Sequence, residues 1–356
     1  MTTDVVVVGG GISGVACARR VSDAGLSVRV VDRGRRLGGR LGARTLRDLP
    51  GGPHPADLGA PYFTVSDDGF HAVVDDWLAR GLAREWTDTF RTAGPGGLSE
   101  AKSGPVRYAG TASLRALVED LAQGLDVRSG TTLDAADFER LIDGDEARAV
   151  VLAMPGPQAA RLLAERRPAL AAVADQPYDP GIVLVARFER RDWPEFDGAF
   201  VSEVAELRWL ADDGRSRGDG APVLVAHSTP GLAREHLADP ESAIPPMLRA
   251  MRSVLGIDHD PVETRVQRWT FAQPTSGRDA TFHLDASGIG PSGIGQSGVS
   301  QSRVNQRGVG QRGTGTRSIG QSVIGLCSDG WSSKSRVEAA WRSGDDLGAA
   351  LVARLA

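Results

Sequence analysis

The sequence predicts an α/β protein in which a discontinuous Rossmann-type nucleotide-binding domain is interrupted by a second, mixed-sheet (α+β) domain. Three observations lead to this prediction. A valine-rich run near the N-terminus is followed by a glycine-rich turn and a helix-forming stretch. Aliphatic runs of the same kind recur much later in the chain. Between them lie segments that alternate apolar and polar residues, as antiparallel strands do.

The composition is that of a soluble globular protein. Hydrophobic residues make up 41% and charged residues 24% of the 356 residues, and no apolar run reaches the roughly 18 residues of a membrane-spanning helix. With 41 basic and 45 acidic residues, the charge balance argues against nucleic acid or a membrane as partner. Only Cys17 and Cys327 are cysteines, so we expect buried thiols, no disulfide framework and no metal site. Because the N-terminus has no export signal, the expected location is the cytoplasm.

The first elements predict a β-α-β unit. Residues 4–8 predict a strand, residues 9–14 a turn, and residues 15–24 a helix that ends at a glycine. A second aliphatic run, at 26–31, predicts a strand that ends at Asp32. Two strands joined through one helix pair in parallel, so we expect a parallel sheet.

The same domain is predicted to resume in later segments. Residues 113–121 have helical apolar spacing, residues 125–127 are extended, and residues 149–153 and 324–327 are typical of buried strands. A helix is predicted over 337–355.

Two blocks between these elements have a different pattern. Residues 67–92 predict a helix and a strand, and residues 181–284 contain alternating segments such as 182–188 and 223–227. We therefore expect a second, partly antiparallel domain inserted into the first. The predicted limits are 1–66, 106–160 and 323–356 for the nucleotide-binding domain, 67–105 and 161–286 for the second domain, and 287–322 for an insertion.

The insertion has a repeat of five residues, which runs from Ser287 to Gly325. The repeat has no aromatic and no acidic residue, so it buries too little apolar surface to offset the entropy of ordering its backbone. A flexible insertion is the favoured interpretation. Its arginines leave open an alternative in which the segment binds nucleic acid or a protein partner; they are Arg303, Arg307, Arg312 and Arg317.

The glycine-rich turn has the spacing of a dinucleotide-binding motif. Gly9 permits the tight turn, Gly11 lets the backbone approach a pyrophosphate, and Gly14 lets the helix pack closely on the strand. The helix N-terminus offers amide donors to the phosphates. Asp32, at the end of the second strand, is placed to accept hydrogen bonds from an adenosine ribose.

Three further motifs resemble the flavin amine oxidase superfamily. Residues 36–40 read RLGGR, residues 57–64 read DLGAPYFT, and residues 328–351 read SDGWSSKSRVEAAWRSGDDLGAAL. The resemblance implies a non-covalently bound FAD, with Arg40 on its phosphates and Asp329 at its ribityl-phosphate region. The cofactor-binding residues it implies, together with those of the glycine motif, are Gly9, Gly11, Ile12, Ser13, Gly14, Asp32, Arg33, Gly39, Arg40, Gly59, Ala60, Val127, Asp329 and Val337.

Within that superfamily the chain resembles renalase and its bacterial relatives. The resemblance lies in DLGAPYFT and in residues 106–122, 227–240 and 268–274. It implies oxidation of 2- or 6-dihydro isomers of nicotinamide nucleotides, with transfer of the electrons to oxygen and formation of hydrogen peroxide. The expected partners are therefore a small-molecule substrate and oxygen.

An amine oxidase remains the first alternative, and a non-catalytic scaffold stabilised by flavin the second. Amine oxidases generally carry a lysine near the flavin, but no lysine occurs between Lys102 and Lys334. Arg336 stands where those enzymes usually have a tyrosine of their aromatic cage. An arginine at this position could bind the phosphates or the carboxamide of a substrate. The equally favoured alternative is that Arg336 is a solvent-exposed residue of the helix without a role in binding.

The candidate substrate-contacting residues lie in the renalase-like segments and the terminal motif. For each of them a structural role is the alternative: a hydrogen-bonded histidine, a core tryptophan, or a tyrosine packed beneath the ring. The candidates are His227, Trp269, Gln273, Tyr62 and Arg336.

Overall fold

The computed structural model describes residues 3–47, 49, 51–143, 146–285 and 322–356. The five-residue repeat predicted to form an insertion at 287–322 lies outside these residues, apart from Ser322. None of the helices in the described part of the chain is both long and apolar enough to cross a membrane.

The described chain contains fifteen strands and ten α-helices. The strands are β1 (Thr3–Val8), β2 (Val28–Asp32), β3 (Ala43–Leu46), β4 (His54–Asp57), β5 (Ala83–Gly94), β6 (Gly97–Gly110), β7 (Asp126–Ser129), β8 (Ala147–Leu152), β9 (Tyr178–Arg187), β10 (Gly198–Val201), β11 (Leu207–Asp212), β12 (Val223–Ser228), β13 (Glu263–Pro274), β14 (His283–Asp285) and β15 (Val323–Leu326). The helices are α1 (Ile12–Asp23), α2 (Asp68–Ala79), α3 (Leu114–Leu121), α4 (Ala135–Asp143), α5 (Gly156–Leu163), α6 (Pro168–Ala174), α7 (Asp213–Arg217), α8 (Pro230–Glu235), α9 (Ile244–Leu255) and α10 (Val337–Leu355).

The first sheet has six strands in the order β14-β15-β8-β1-β2-β7. All neighbours pair in parallel except β14, which is antiparallel to β15. Val5 and Val7 face α1 and α10, whereas Val6 and Val8 face the side covered by α4 to α6. A strand buried on both faces reads as a continuous aliphatic run, which is why β1 is valine-rich. The predicted parallel β-α-β unit is confirmed.

The second sheet has seven strands in the order β13-β9-β12-β11-β10-β5-β6. Its pairs are antiparallel except for β10 with β5. One face packs on α9 through Met247 and Met251, and the other faces β3, β4 and Leu58. The predicted α/β fold with a Rossmann-type sheet and a further mixed sheet is confirmed.

Close contact between α1 and α10 joins the two ends of the described chain. A side chain at Gly344 would overlap the carbonyl of Ser13, and one at Gly348 would press on Arg20 and the Cys17 carbonyl. Glycine at these positions therefore lets the two helix backbones approach. Cys17 and Cys327 are fully buried, as expected for small apolar residues.

The structure differs locally from the predicted segments. Helix α1 begins three residues earlier than predicted, since Gly11 adopts the extended conformation of an N-cap. Strand β6 continues past the predicted boundary at 105, because its far end pairs with the beginning of β5. Strand β14, in the predicted second-domain segment 161–286, pairs with β15 of the first sheet. The division of the chain into domains stays a prediction.

Candidate active site

At Gly9 and Gly14, around the turn between β1 and α1, the backbone lies too close to neighbouring backbone for any side chain. Gly9 has a φ of 121°, and a Cβ there would overlap the carbonyl of Ala153. A Cβ at Gly14 would overlap the carbonyl of Gly9. In contrast, a Cβ at Gly11 would meet no atom within 4 Å. The turn therefore packs tightly on the sheet side and is open at Gly11, in front of the N-terminus of α1.

This open N-terminus fits a dinucleotide pyrophosphate. Gly11 provides no side-chain cap, and the first turn of α1 contains no acidic residue. The amides of Ile12, Ser13 and Gly14 belong to the first turn, where no carbonyl one turn earlier in the helix can accept from them. With the positive end of the helix dipole they suit an anion.

The residues predicted to bind the adenosine half lie at the ends of β2 and β7. The Asp32 carboxylate accepts hydrogen bonds from the amides of Gly10, at 2.5 Å, and Gly34, at 2.6 Å. Asp32 is thus fixed beside the glycine turn. Arg33 is exposed, and Val127 lies on β7, the strand at the edge of the sheet. Their contacts with ribose and adenine stay predictions.

The RLGGR and DLGAPYFT motifs contact each other. The amide of Ala60 donates to the carbonyl of Arg40 at 3.0 Å, and a side chain at Gly59 would overlap that same carbonyl. A Cβ at Gly39 would lie 3.4 Å from the Cα of Gly11. Three separate glycine-containing segments therefore come together at one end of the first sheet.

Arg40 and Asp329 form an ion pair beside these segments. The Arg40 guanidinium also donates to the carbonyl of Ala272, at 3.2 Å, and the hydroxyl of Ser335 donates to Asp329 at 2.5 Å. Burial alone would lower the pKa of Arg40, but the Asp329 carboxylate and the Tyr178 hydroxyl together outweigh it and raise the pKa. The sequence predicted two separate cofactor contacts, and the structure brings them together as one charged pair.

The N-terminus of α10 is held to the segment before α2. The buried carboxylate of Glu338 accepts from the amides of Ser66 and Asp67 and from the Ser66 hydroxyl, at 2.7 Å for the last two. The resemblance implied a role for the backbone around Val337 and Glu338, and none for the Glu338 side chain. The acid in the first turn of the predicted helix was the signal that could have revealed this contact.

A buried charge network fixes β4, and with it the DLGAPYFT segment, to α7. Asp57 pairs with Arg217 and accepts from the amide of Leu114 at 3.1 Å. His54 lies between Asp213, at 2.7 Å, and Asp219, at 2.6 Å. Burial raises the pKa of Asp57 to about 6, while Arg217 opposes that shift.

Five aromatic side chains form a cluster, here called the aromatic wall, where the second sheet faces the DLGAPYFT segment. In the seven ring pairs the centroids lie 4.8 to 6.3 Å apart, and every pair meets edge to face or tilted. The Nε1 donors of Trp86 and Trp209 are buried, and neither has a hydrogen-bond partner among the described residues. The aromatic wall consists of Tyr62, Trp86, Phe90, Phe200 and Trp209.

His227 lies next to this wall, because it pairs with Trp209 across β11 and β12. Its Nε2 is buried, and no acceptor or donor in the described chain reaches it. Burial, and then the neighbouring charge of Arg208, lowers the pKa of His227 to about 3. The imidazole is therefore neutral at physiological pH and keeps one free hydrogen-bonding nitrogen. A structural histidine was the alternative interpretation of His227, and its nitrogens would be hydrogen-bonded within the protein. Nε2 has no such bond in the described chain.

Three arginines border the aromatic wall. The guanidinium of Arg107 lies 4.2 Å from the ring centre of Phe90. Burial raises the pKa of Tyr62, and the positive charges of Arg107 and Arg336 oppose this shift. Arg208 precedes Trp209 in β11. None of the three forms an ion pair with any carboxylate that the structure describes.

The remaining candidates have different surroundings. Trp269 is half-buried, and its indole donates to the carbonyl of Leu58 at 2.5 Å, so its polar atom is already bound. Gln273 is exposed and accepts from Arg208 at 3.1 Å. Trp209 thus lies between two of the candidates: its ring packs against Tyr62, and it pairs with His227 across the strands. Arg208 lies between two others, since it binds Gln273 and its charge acts on His227.

Sequence analysis missed most of the wall and two of its arginines. The missed residues are Trp86, Phe90, Arg107, Phe200, Arg208 and Trp209. An available signal was the occurrence of aromatic residues within predicted strands, which favours a shared sheet face. Their meeting depends on pairings between distant strands, which the local sequence does not show.

The fold, together with the family match that follows, defines an FAD-dependent oxidoreductase with a Rossmann-type sheet and a second, mixed sheet. A sequence model for an NAD(P)-binding Rossmann-like domain matches residues 7–77. The model of the flavin containing amine oxidoreductases matches residues 96–294, which is more than half of the chain. The chain belongs to this flavin containing amine oxidoreductase family, and its cofactor is FAD.

Known proteins resemble the chain in part of its sequence or in its fold. (S)-6-hydroxynicotine oxidase from Paenarthrobacter nicotinovorans is 48% identical over 48 residues, which are 14% of this chain and 11% of that protein. Cyclohexylamine oxidase from Brevibacterium oxydans has a similar structure, with a TM-score of 0.68, 14% identity and 100% of both chains covered. A putative protoporphyrinogen oxidase from Exiguobacterium has a TM-score of 0.56 and 16% identity, over 77% of this chain and 88% of the other. At these identities the two structural matches show the fold alone.

Proposed function

We propose that the enzyme oxidises 2- or 6-dihydro isomers of nicotinamide nucleotides, as renalases do, with oxygen as the electron acceptor. The products are NAD(P)+ and hydrogen peroxide. The observation that supports this proposal most directly is the character of the aromatic wall. The indole donors of Trp86 and Trp209 have no partner among the described residues, and no described carboxylate pairs with the three arginines beside the wall.

Bound FAD supplies a hydride acceptor at N5 and a route for electrons to oxygen. A dihydropyridine that loses hydride becomes an aromatic pyridinium, so the chain needs no strong base beside the reacting carbon. Its task is to hold a planar donor in reacting position and to exclude water. Tyr62 and Trp209 provide flat apolar surface for this purpose, while the neutral His227 offers Nε2 to a carboxamide.

A cationic amine fits this site less well. Arg107, Arg208 and Arg336 repel an ammonium group, and no neighbouring carboxylate in the described chain neutralises them. His227, with a pKa of about 3, is a weak base for removing the proton of an ammonium group. Both lysines of the chain, Lys102 and Lys334, are exposed.

Amine oxidation is the second candidate function. The match to the flavin containing amine oxidoreductases supports it. The two candidates differ in which compound reduces the flavin. They share the fold and the cofactor, so the substrate has to be tested directly.

An anaerobic titration of the purified holoenzyme separates the two. We expect one equivalent of 6-dihydro-NAD to bleach the flavin and to release one equivalent of NAD+, which chromatography identifies. Admitting air should restore the colour and form hydrogen peroxide. Cyclohexylamine and putrescine should leave the spectrum unchanged. Bleaching by an amine and not by the dihydronucleotide would refute the proposal.

A further inference from the structure

Arg208 occupies an irregular position in the second sheet. Leu207 pairs with Ser228 and Trp209 pairs with His227, so β11 has one residue more than β12 over this step. Arg208 is that additional residue of a β-bulge. Bulges redirect side chains and are common beside active sites. Here the bulge places the arginine next to both Trp209 and His227.

The side chain of Arg208 reaches across the sheet. It donates to Gln273 on β13, although β12 and β9 lie between β11 and β13. Gln273 lies beyond a second irregularity, where four residues of β13 span two of β9. Because guanidinium only donates, the Gln273 oxygen must face Arg208, which leaves the amide nitrogen of Gln273 as a further donor.

The charge of Arg208 has no carboxylate partner among the residues that the structure describes. Asp179 is the acid whose charge acts on it, but Asp179 is paired with Arg234. Arg208 is exposed at the surface of the sheet, and the protein around it lowers its pKa. Its charge is therefore accessible from solvent and has no carboxylate beside it, so an incoming anion can form charge-assisted hydrogen bonds with its guanidinium.

We infer that Arg208 determines substrate specificity by binding, with the amide of Gln273, a phosphate group of the substrate. The substrate class is thus a phosphate-bearing dihydropyridine whose ring stacks at the aromatic wall. This inference rests on the proposed function for the identity of the ring. The anion site itself rests on the bulge, on the Arg208–Gln273 hydrogen bond and on the uncompensated charge.

Ligand binding tests this site without turnover. Isothermal titration calorimetry of the oxidised holoenzyme compares nicotinamide mononucleotide, which carries a phosphate, with nicotinamide riboside, which does not. The variants are R208M, which removes the cation, and Q273E, which supplies it with an internal carboxylate. R265M is the matched control, because Arg265 is on β13 of the same sheet, is exposed and already pairs with Glu263 at 2.7 Å.

We expect R208M and Q273E to raise the Kd of the mononucleotide about 10- to 100-fold, the effect of losing hydrogen bonds to a charged group. The Kd of the riboside should stay within about twofold, and R265M should bind both as the unaltered enzyme does. Equal weakening of both ligands, no weakening of either, or no binding of the mononucleotide to the unaltered enzyme would each overturn the inference. If phosphate-dependent binding is found but no dihydropyridine bleaches the flavin, the proposed function fails while the anion site stands. If a dihydropyridine bleaches the flavin but binding does not depend on the phosphate, the proposed function stands and the anion site fails.

Discussion

His227 shows how burial sets the chemistry of a single residue. Its Nε2 lies in protein without a hydrogen-bond partner in the described structure, and Arg208 adds a neighbouring positive charge. Both effects disfavour the imidazolium form. A neutral imidazole can donate or accept one hydrogen bond at Nε2, and it adds no charge against a pyridinium product.

The same shift predicts a pH-dependent stability. The pKa of His227 is about 3 in the folded protein and about 6.5 when unfolded, so the unfolded chain binds a proton that the folded chain refuses. The contribution of neutral His227 to the free energy of unfolding is therefore complete above pH 6.5, and it decreases as the pH falls from 6.5 towards 3. Between pH 6.5 and 5 the loss amounts to at most about 2 kcal/mol. In H227Q this loss should disappear.

Urea unfolding at pH 5, 6 and 7 measures this difference. The control is H71Q, because His71 is exposed. H71Q should keep the pH dependence of the unaltered protein. An identical pH dependence in H227Q would show that His227 can be protonated in the folded state.

The Arg217–Asp57 pair is the second residue-scale test. Both side chains are buried, and Asp57 belongs to the DLGAPYFT segment. R217M leaves a buried carboxylate without its cation, so we expect it to lower the free energy of unfolding by about 3 to 5 kcal/mol. Adding D57N should restore at least about 1 kcal/mol, since the neutral amide no longer requires a cation. Urea unfolding of both single variants and the double variant gives this coupling, and strictly additive losses would exclude it.

At the scale of elements, the contact between α1 and α10 positions both predicted cofactor-facing helix N-termini. A side chain at Gly344 would overlap the backbone of α1 at Ser13. G344A should therefore push the helices apart, lower the free energy of unfolding by about 1 to 3 kcal/mol and accelerate the loss of FAD. Urea unfolding and flavin release on dilution measure the two effects.

Gly231 in α8 provides the matched control, since a Cβ there meets only the Thr229 hydroxyl, at 3.8 Å. G231A replaces a helical glycine without a clash, so it should be neutral or slightly stabilising. If G344A were as harmless as G231A, the helices would tolerate a wider separation than the structure indicates.

The elements that local patterns define were predicted well. Helix α10 has the predicted bounds, and the strands around residues 4–8, 149–153 and 324–327 were each found within about three residues. Their signals are local: an aliphatic run, a glycine at a turn, or a helical apolar spacing. Two features were not predicted. One is the bulge at Arg208, and the other is the contact of β5, β10 and β11 at the aromatic wall. They result from strand pairings between distant segments, and no local pattern encodes a register shift of one residue.

At the scale of the whole molecule, the ends of the predicted insertion are neighbours. Strands β14 and β15 pair antiparallel, with Asp285 opposite Ile324. The Ser322 hydroxyl lies within hydrogen-bonding distance of two carbonyls, those of Ile142, at 3.0 Å, and Ala147, at 2.6 Å. A short connection between these two strands is therefore geometrically sufficient.

We expect that replacing residues 288–320 with Asn-Gly leaves the FAD content and turnover unchanged. Shortening a long connection should increase the free energy of unfolding by about 1.5 kcal/mol, because less loop-closure entropy is lost on folding. The flavin absorbance per mole of protein and urea unfolding test this expectation. Loss of FAD or of turnover would indicate that the repeat contributes to the active site.

The central claim is that the enzyme transfers hydride from a dihydronicotinamide nucleotide to its flavin, and the reductive half-reaction tests this claim directly. Anaerobic stopped-flow absorbance should follow the flavin colour after mixing the holoenzyme with 6-dihydro-NAD that carries hydrogen or deuterium at C6. The account predicts rapid bleaching that is slower with deuterium, because the bond from C6 breaks as hydride moves to the flavin, and no bleaching with cyclohexylamine or putrescine. Rapid bleaching by either amine, with a flavin that remains coloured in 6-dihydro-NAD, would contradict it.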